Sequence, residues 1–210
     1  MHCDNVLLDK VIREEISLPL LRTYGWNTPT ISIGLNQKFN PSTNADLPFV
    51  KRITGGQAVI HSNPLDEITY SIFLRYEYRS KDLYLEIGNL LISFLEKLGL
   101  QGRFGYSKQD LNYFTSFNCF DSKTTADIVV DDIKVIGNAQ RRKKKYILQH
   151  GSIRLDKIKL LTCKELTFEE AATSLKETFK KKLNVNFIDF FLANDDYRKI
   201  SSYNDCVSVA

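Results

Sequence analysis

The sequence lacks any long hydrophobic run. No stretch among its 210 residues approaches the ~18 to 20 consecutive apolar residues that a membrane-spanning helix needs. The N-terminal residues also lack the basic segment followed by an apolar segment that marks a secretory signal. These two absences predict a cytoplasmic protein that does not bind a membrane.

Cysteine is scarce, and the cysteines are far apart. Cys3, Cys119, Cys163 and Cys206 include no Cys-x-x-Cys pair, which argues against a zinc site or a disulfide framework. We therefore expect no bound metal. In a reducing compartment all four are free thiols, so a cysteine with a chemical role would act as a thiolate.

A strong excess of charge is missing as well. The 29 basic and 25 acidic residues leave a formal net charge of +4, which is too small to predict nucleic-acid binding. The distribution is uneven, because residues 141–145 are five consecutive cations. This basic run is either the solvated tip of a hairpin or a docking patch for an acidic partner protein.

The composition fits one folded domain that covers residues 1–210. Hydrophobic residues make up 43% of the chain and aromatic residues 11%, enough for a sizeable core. Periodicity predicts long amphipathic helices over residues 81–98, with Gly99 as the stop, and over residues 167–183. A short helix is predicted over residues 4–16. The tail after about residue 190 is either a short helix or a frayed end.

Runs rich in β-branched and aromatic residues predict the strands. They cover residues 20–24, 30–33, 48–53, 58–61, 68–74, 103–106, 127–130, 133–136 and 146–155. Loops are predicted over residues 36–48 and 107–125, and a hairpin turn at Asp131-Asp132. Groups of strands with helices between and after them predict the α+β class rather than a regular alternation.

The first candidate site is the segment KRITGGQAVIH, residues 51–61. Two adjacent glycines let the backbone turn sharply and bring its N–H groups close to a ligand. Arg52 precedes them and is suited to a carboxylate or phosphate. The alternative is an ordinary glycine hairpin turn, with His61 as a hydrogen-bonded structural residue. The spacing of a P-loop is absent.

The second candidate site lies in residues 127–155. Lys134 interrupts an apolar strand and points either to solvent or into a pocket. Strict alternation places it on the side of Ile136, which makes solvent the less obvious choice. Small residues follow at positions 137–139 and again near His150, and they would allow a ligand to approach the backbone closely.

The third candidate is Cys119, in a polar loop. Lys123 is close in sequence and Lys134 follows 15 residues later. A nearby cation favours the thiolate form of a cysteine, which is the nucleophile in covalent catalysis. The alternative is an inert buried cysteine.

These motifs resemble, in the same order, those of the biotin/lipoyl protein ligase superfamily. The resemblance is to its lipoate-ligase and octanoyltransferase branch, and it extends to about Asp156. Residues 20–34 resemble the opening strand pair, and residues 52–61 the acyl-binding glycine loop, with Gln57 where ligases commonly have a third glycine. Residues 127–139 resemble the segment with the active-site lysine, which maps onto Lys134. Residues 150–152 resemble the turn that follows.

This resemblance implies a mixed β-sheet flanked by helices, with the acyl chain in a tunnel beside the glycine loop. It implies catalytic roles for Cys119 and Lys134. Lys134 would either stabilise the thiolate as a cation or, with a pKa lowered by burial, accept a proton. The implied substrate-binding residues are Arg52, Thr54, Gly55, Gly56, His61, Gly137, Asn138, Ala139, His150 and Gly151.

Within the branch, residues 118–121 resemble the cysteine loop of the single-cysteine octanoyltransferases of the lipoate-ligase-like type. Residues 137–141 and 147–152 also read closer to that subgroup, and residues 65–71 lack the Gly-Asn pair usual in ligases. The implied reaction moves octanoyl from acyl carrier protein through a cysteine thioester to a lysine of a lipoyl domain. That domain belongs to a 2-oxoacid dehydrogenase or to the glycine cleavage H protein. The implied reaction needs no cofactor.

Three alternatives stay open at this point. Gly34-Leu35-Asn36-Gln37 resembles ligases, and Asn138 replaces the more usual serine. An ATP-dependent lipoate-protein ligase that lacks its accessory domain would require ATP and Mg²⁺. An amidotransferase would take octanoyl from an octanoylated glycine cleavage H protein, and a non-catalytic relative would bind the acyl group without turnover.

Overall fold

The computed structural model describes residues 1–37, 47–76, 80–105, 119–121 and 123–201 of the protein. Most of the two predicted loops, residues 36–48 and 107–125, therefore lies outside the described residues, as does Cys206. Within the described ranges, no helix is both long and apolar enough to cross a membrane.

Nine strands and five helices form the described part of the fold. The strands are β1 (Leu20–Tyr24), β2 (Thr30–Ile33), β3 (Phe49–Lys51), β4 (Val59–His61), β5 (Glu67–Arg75), β6 (Arg103–Phe104), β7 (Ile128–Val130), β8 (Ile133–Lys143) and β9 (Tyr146–Arg154). The helices are α1 (His2–Ile12), α2 (Ser80–Lys97), α3 (Leu155–Thr162), α4 (Phe168–Leu183) and α5 (Asn194–Ser201).

The strands form two sheets. The larger is antiparallel throughout, in the order β1-β5-β9-β8-β7-β6. The smaller has the order β3-β2-β4, with β2 parallel to β3 and antiparallel to β4. The predicted α+β class with a mixed sheet and flanking helices is confirmed, and the parallel pairing is in the small sheet.

The two faces of the larger sheet bury different helices, because successive strand side chains point to opposite sides. On one face, Ile68, Tyr70 and Ile72 of β5 share a core with α2, α3 and α4. On the other, Phe73 of β5 and Leu148 of β9 pack against apolar residues of α1. The half of this second face that α1 does not cover is available for a binding site.

Most predicted helices and turns are confirmed. Helices α2 and α4 match their predicted ranges to within a residue, and Thr167 forms a capping box with Glu170. Gly99 follows α2 with a φ of +83°, which favours glycine. Helix α1 ends at Ile12, earlier than predicted, and Glu14 has a φ of +62° that is incompatible with a helix. The tail contains helix α5.

In the C-terminal half two predictions are wrong and one helix was missed. Strand β8 continues to Lys143 instead of ending at residue 136, because each added residue pairs with β9. Residues 150–152 are not a turn but the middle of β9, with β5 on one side and β8 on the other. Helix α3 was not predicted, although Leu155 and Ile158 are buried at helical spacing.

A buried carboxylate fastens α1 to the sheet. Asp4 accepts hydrogen bonds from Arg22 Nη1 at 2.8 Å, Ser71 Oγ at 2.8 Å and Tyr24 OH at 3.5 Å. Burial alone raises the pKa of Asp4, but the Arg22 guanidinium and a hydrogen bond from His150 outweigh it and hold that pKa far below its usual range. Asp4 is therefore charged at neutral pH.

Replacement of Asp4 by asparagine is expected to destabilise the fold strongly. The substitution keeps the shape but leaves the buried Arg22 cation without a counter-charge, at a cost of ~3 kcal/mol or more in the free energy of unfolding. Urea denaturation followed by circular dichroism measures it. Asp9→Asn is the matched control, because Asp9 is an exposed α1 carboxylate paired with Lys143. Equal stability of the two variants would contradict the role given to Asp4.

Candidate functional site

The loop of residues 52–58, called here the glycine loop, is not a hairpin turn. It joins β3 to β4, which lie on opposite sides of β2, so the hairpin alternative is wrong. The loop passes so close to Gly34 that a Cβ there would lie 1.8 Å from the Gly56 carbonyl oxygen. Gly56 itself has a φ of +94°. A side chain at position 34 would therefore displace the loop.

Arg52 holds the glycine loop in place. Its Nη1 donates to the Ser32 carbonyl at 2.7 Å and to Ser32 Oγ at 2.8 Å. Its Nη2 donates to the carbonyls of Gly55 at 3.2 Å and Gln57 at 2.7 Å. The side chain reaches the cleft described below, but its two terminal nitrogens are bound to the protein rather than directed at an anionic ligand.

His61 connects this loop to the larger sheet. Its Nε2 lies 2.7 Å from Ser32 Oγ, and its Nδ1 lies 2.5 Å from Glu67 Oε1. Because Arg52 already donates to Ser32, the Ser32 hydroxyl donates to Nε2 and the Nδ1–H donates to Glu67. The ring also stacks on Trp26, with centroids 3.9 Å apart. Both ring nitrogens are occupied, which favours the structural interpretation of His61.

His150 makes a second connection of the same kind. Its Nε2 lies 2.6 Å from Thr54 Oγ1, and its Nδ1 lies 3.3 Å from Asp4 Oδ2. The glycine loop is thereby tied through β9 to α1. Burial lowers the pKa of His150, as it does that of His61, so both rings are neutral at pH 7.

The thiol of Cys119 lies against a buried ion pair. Lys134 Nζ is 3.3 Å from Cys119 Sγ, donates to the Cys119 carbonyl at 2.6 Å and lies 2.8 Å from Asp127 Oδ2. The Cys119 backbone N–H donates to the Ala58 carbonyl at 2.7 Å. Cys119 thus lies between the end of the glycine loop and β8, half-buried, as the sequence spacing to Lys134 predicted.

A β-bulge points Lys134 towards Cys119. Lys134 pairs with Val129, whereas Ile136 pairs with Ile128, so Val135 is the extra residue. Since Ile128 and Val129 face opposite sides, Lys134 and Ile136 do too. Lys134 is only 5% exposed. The prediction that it avoids solvent is confirmed, but the placement beside Ile136 is wrong.

Lys134 remains a cation. Burial alone lowers its pKa, but the electrostatic interactions and hydrogen bonds with Cys119 and Asp127 outweigh burial and raise the pKa above its usual value. A group that holds its proton this firmly is not a base at neutral pH. Of its two predicted roles, the geometry and charge favour stabilisation of a thiolate.

Asp127 was given no role by the sequence reasoning. Its Oδ2 accepts from the Thr124 backbone N–H at 2.7 Å and the Thr124 hydroxyl at 3.0 Å, in addition to Lys134. One sequence feature could have identified it: a carboxylate immediately before an apolar strand, with a lysine on the other strand of the same hairpin. Asp127 both neutralises Lys134 and fixes the direction of its side chain.

A narrow cleft opens beside Cys119, between the glycine loop and β8. Nine of the twelve residues that the resemblance implied line it: Arg52, Gly56, His61, Cys119, Gly137, Asn138, Ala139, His150 and Gly151. Thr54, Gly55 and Lys134 are not among the lining residues, although Thr54 contacts His150 and Lys134 contacts Cys119, which are. Lining residues that the sequence did not single out as binding residues are Met1, Ser32, Val59, Thr69 and Ser152.

Glycines on two strands keep this cleft clear. A Cβ at Gly137 would lie 3.3 Å from Lys134 Cε, and one at Gly151 would lie 2.5 Å from Asn138 Oδ1. Asn138 Oδ1 accepts from Tyr70 OH at 2.7 Å, and its Nδ2 donates to the Ala126 carbonyl. Within the described ranges, no group of three or more metal-ligating side chains is present.

The rate at which iodoacetamide alkylates Cys119 at pH 7 is expected to report the Lys134 charge. Lys134→Met with Asp127→Asn removes the buried ion pair without leaving an unpaired charge. We expect alkylation to slow about tenfold or more, since ~1.4 kcal/mol of charge stabilisation corresponds to that factor. Peptide mass spectrometry follows Cys119 alone. Lys123→Met is the matched control, and an equal effect of that variant would contradict the assignment.

The two neutral histidines predict a loss of stability in mild acid. In the unfolded chain a histidine pKa returns to about 6.5, so below that pH the unfolded state binds more protons than the folded state. The free energy of unfolding should fall as the pH drops below ~6.5, by up to ~1.4 kcal/mol per unit for each histidine. Urea denaturation between pH 7.5 and 5.5 measures this slope. His150→Gln should make this slope shallower, and an unchanged slope in that variant would contradict the assignment.

The sequence matches the family described as the lipoyl protein ligase A/B catalytic domain over residues 1–189. It is 34% identical to Octanoyltransferase LipM of Halalkalibacterium halodurans over 200 aligned positions, which cover 85% of this chain and 71% of that protein. It is 36% identical to Octanoyltransferase LipM of Kyrpidia tusciae, over 74% of this chain and 61% of that protein.

Solved structures with the same fold include lipoate-protein ligase A bound with ATP, with a TM-score of 0.70 and 17% identity. That match covers 96% of this chain and 89% of the other. The bi-partite lipoate protein ligase of Thermoplasma acidophilum has a TM-score of 0.67 and 16% identity, over 96% of this chain and 86% of that one. Identities this low show the fold alone. The family match over residues 1–189 and the 34% identity over 85% of this chain show that the chain belongs to the lipoyl protein ligase A/B catalytic domain family.

Proposed function

We propose that this protein is an octanoyltransferase of lipoate biosynthesis and that it carries the octanoyl group on Cys119. The observation that carries the proposal is the half-buried Cys119 thiol, 3.3 Å from the Lys134 ammonium at the wall of the cleft. The curated relatives named octanoyltransferase support the class of acyltransferase. The lipoate ligases share the fold, but at 16–17% identity they do not indicate the activity of this protein.

In the first half of the reaction, the Cys119 thiolate attacks the thioester carbonyl of octanoyl-acyl carrier protein. A new bond forms between Cys119 Sγ and the acyl carbon, the bond to the carrier sulfur breaks, and the carrier thiolate takes a proton from solvent. Lys134 keeps its proton and stabilises the Cys119 thiolate before attack. No change of oxidation state occurs.

In the second half, a lysine amine of a lipoyl domain attacks the Cys119 thioester. An amide forms, Cys119 leaves as a thiolate beside Lys134, and the amine proton goes to solvent. Conversion of a thioester to an amide is downhill, so we expect no requirement for ATP or a metal. The acceptors we propose are lipoyl domains of 2-oxoacid dehydrogenases and the glycine cleavage H protein, in the cytoplasm.

The small residues along the cleft suit an unbranched acyl chain. Gly56 forms part of one wall, while Gly137 and Ala139 of β8 form part of the opposite wall. These positions carry small side chains, so a chain bound between them contacts backbone and methyl groups rather than charged groups. We propose that the octanoyl chain lies along β8 with its carbonyl at Cys119.

Intact-protein mass spectrometry tests this function. Incubation with octanoyl-acyl carrier protein, without ATP, is expected to add one octanoyl group that hydroxylamine removes and that maps to Cys119. Cys119→Ala should abolish both the adduct and transfer to a lipoyl domain, because no other thiol lies beside the cleft in the described ranges. Cys163→Ala is the matched control, since Cys163 is an exposed cysteine after α3.

Two results would overturn the proposal. Acylation of a lipoyl domain only after addition of ATP and free octanoate would make the protein a ligase. Formation of the Cys119 adduct from octanoylated glycine cleavage H protein, but not from octanoyl-acyl carrier protein, would make it an amidotransferase with that donor.

A further inference from the structure

The positive charge of the chain is concentrated at one end of the larger sheet. The cations there are Arg75 at the end of β5 and the basic run of residues 141–145. The carboxylates that pair with them are Asp9 of α1 and Glu14, which follows that helix. We call these eight residues the tip patch. Its six cations exceed its two carboxylates by four, which equals the formal net charge of +4 of the whole chain. The rest of the protein is therefore neutral overall.

The basic run is distributed over both faces of the β8–β9 hairpin. Arg141 and Lys143 point to the side of α1, since Lys143 Nζ lies 3.1 Å from Asp9 Oδ1. Arg142 points to the opposite side because strand side chains alternate, and it is exposed. Lys144 is in the turn, also exposed, with a φ of +56°. The tip patch thus presents cations all around the hairpin end.

The ion pairs inside the tip patch do not remove it from solvent. The side chains of Lys143 and Lys145 remain 49% and 42% exposed although they pair with Asp9 and Glu14. Exposed ion pairs of this kind are weak and exchange readily with other charges. An incoming anionic surface therefore meets six accessible or exchangeable cations.

The tip patch is physically continuous with the cleft. Arg141 Nη1 donates to the carbonyl of Ile53 in the glycine loop at 3.0 Å. Ala139 lines the cleft, and Arg142 follows it three residues later on the same strand, about 10 Å away at the usual rise per residue. A macromolecule bound at the tip would have a thioester on a flexible arm within reach of Cys119.

We propose that the tip patch is the docking surface for the acidic carrier protein that delivers the octanoyl thioester. The inference rests on the proposed function, because it assumes a protein-bound thioester donor. Complementary charge mainly accelerates encounter and orients the partner, so the tip patch should act on capture of the donor and not on the chemistry at Cys119.

The test compares two donors with the same thioester. Rapid-quench mass spectrometry gives the second-order rate of Cys119 acylation by octanoyl-acyl carrier protein and by S-octanoyl-pantetheine, a small uncharged donor. With Arg142→Glu/Lys144→Glu at low salt, we expect about a tenfold or greater loss with the carrier and an unchanged rate with the small donor. The loss should shrink at high salt.

The matched control is Lys181→Glu/Lys182→Glu at the end of α4. It makes the same change in net charge at two exposed lysines outside the tip patch. An equal loss of the acylation rate in that variant would show that the effect depends on total charge and not on the tip patch, and it would overturn the proposal. Thermal melts followed by circular dichroism establish that both variants are folded.

Other outcomes also decide against the docking surface. Unchanged rates with both donors would mean that the basic run is only a solvated hairpin tip. Equal losses with both donors would indicate a damaged cleft. A loss only in transfer from octanoyl-Cys119 to a lipoyl domain would assign the tip patch to the acceptor. If the small donor acylates Cys119 in the native protein and the carrier does not, the proposed donor is wrong; if neither acylates it, the proposed function is wrong.

Discussion

The buried ammonium group of Lys134 is the constraint on which the site depends. A charge removed from water is costly unless it is paired, and Asp127 supplies the pairing at 2.8 Å. The same ammonium bonds the carbonyl and contacts the thiol of Cys119. One interaction therefore neutralises a buried charge, anchors the segment that carries the cysteine and places a cation where a thiolate would form.

The opposite wall of the cleft depends on the hydrogen bonds of one arginine and two neutral histidines. Arg52 fixes the glycine loop from within, while His61 and His150 connect it to β5, β9 and α1. Both ring nitrogens of each histidine form hydrogen bonds within the protein. The two side chains therefore hold the loop in position and do not transfer protons. Helix α1 thereby contributes to a cleft that most of it does not touch, through the buried carboxylate of Asp4.

Strand β8 brings these parts together on one element. It contains Lys134 as its second residue, bulges at Val135, presents Gly137 and Ala139 to the cleft and ends in the basic run. Because of the bulge, Lys134 and Ile136 lie on opposite faces of the sheet, and only Ile136 packs in the core with the helices. The proposed chemistry, the proposed acyl-binding residues and the proposed docking surface therefore follow one another along a single strand.

The sequence by itself determined the elements whose residues carry a local period, such as the apolar stripe of α2 and the capping box of α4. It also identified Cys119, Lys134 and the glycine loop, because those residue types in that order resemble a known family. Only the tertiary structure decided the length of β8, the partners of Arg52 and the role of Asp127. These features depend on strand pairing and burial between residues that are distant in sequence. A local sequence pattern does not specify which distant residue will be the partner.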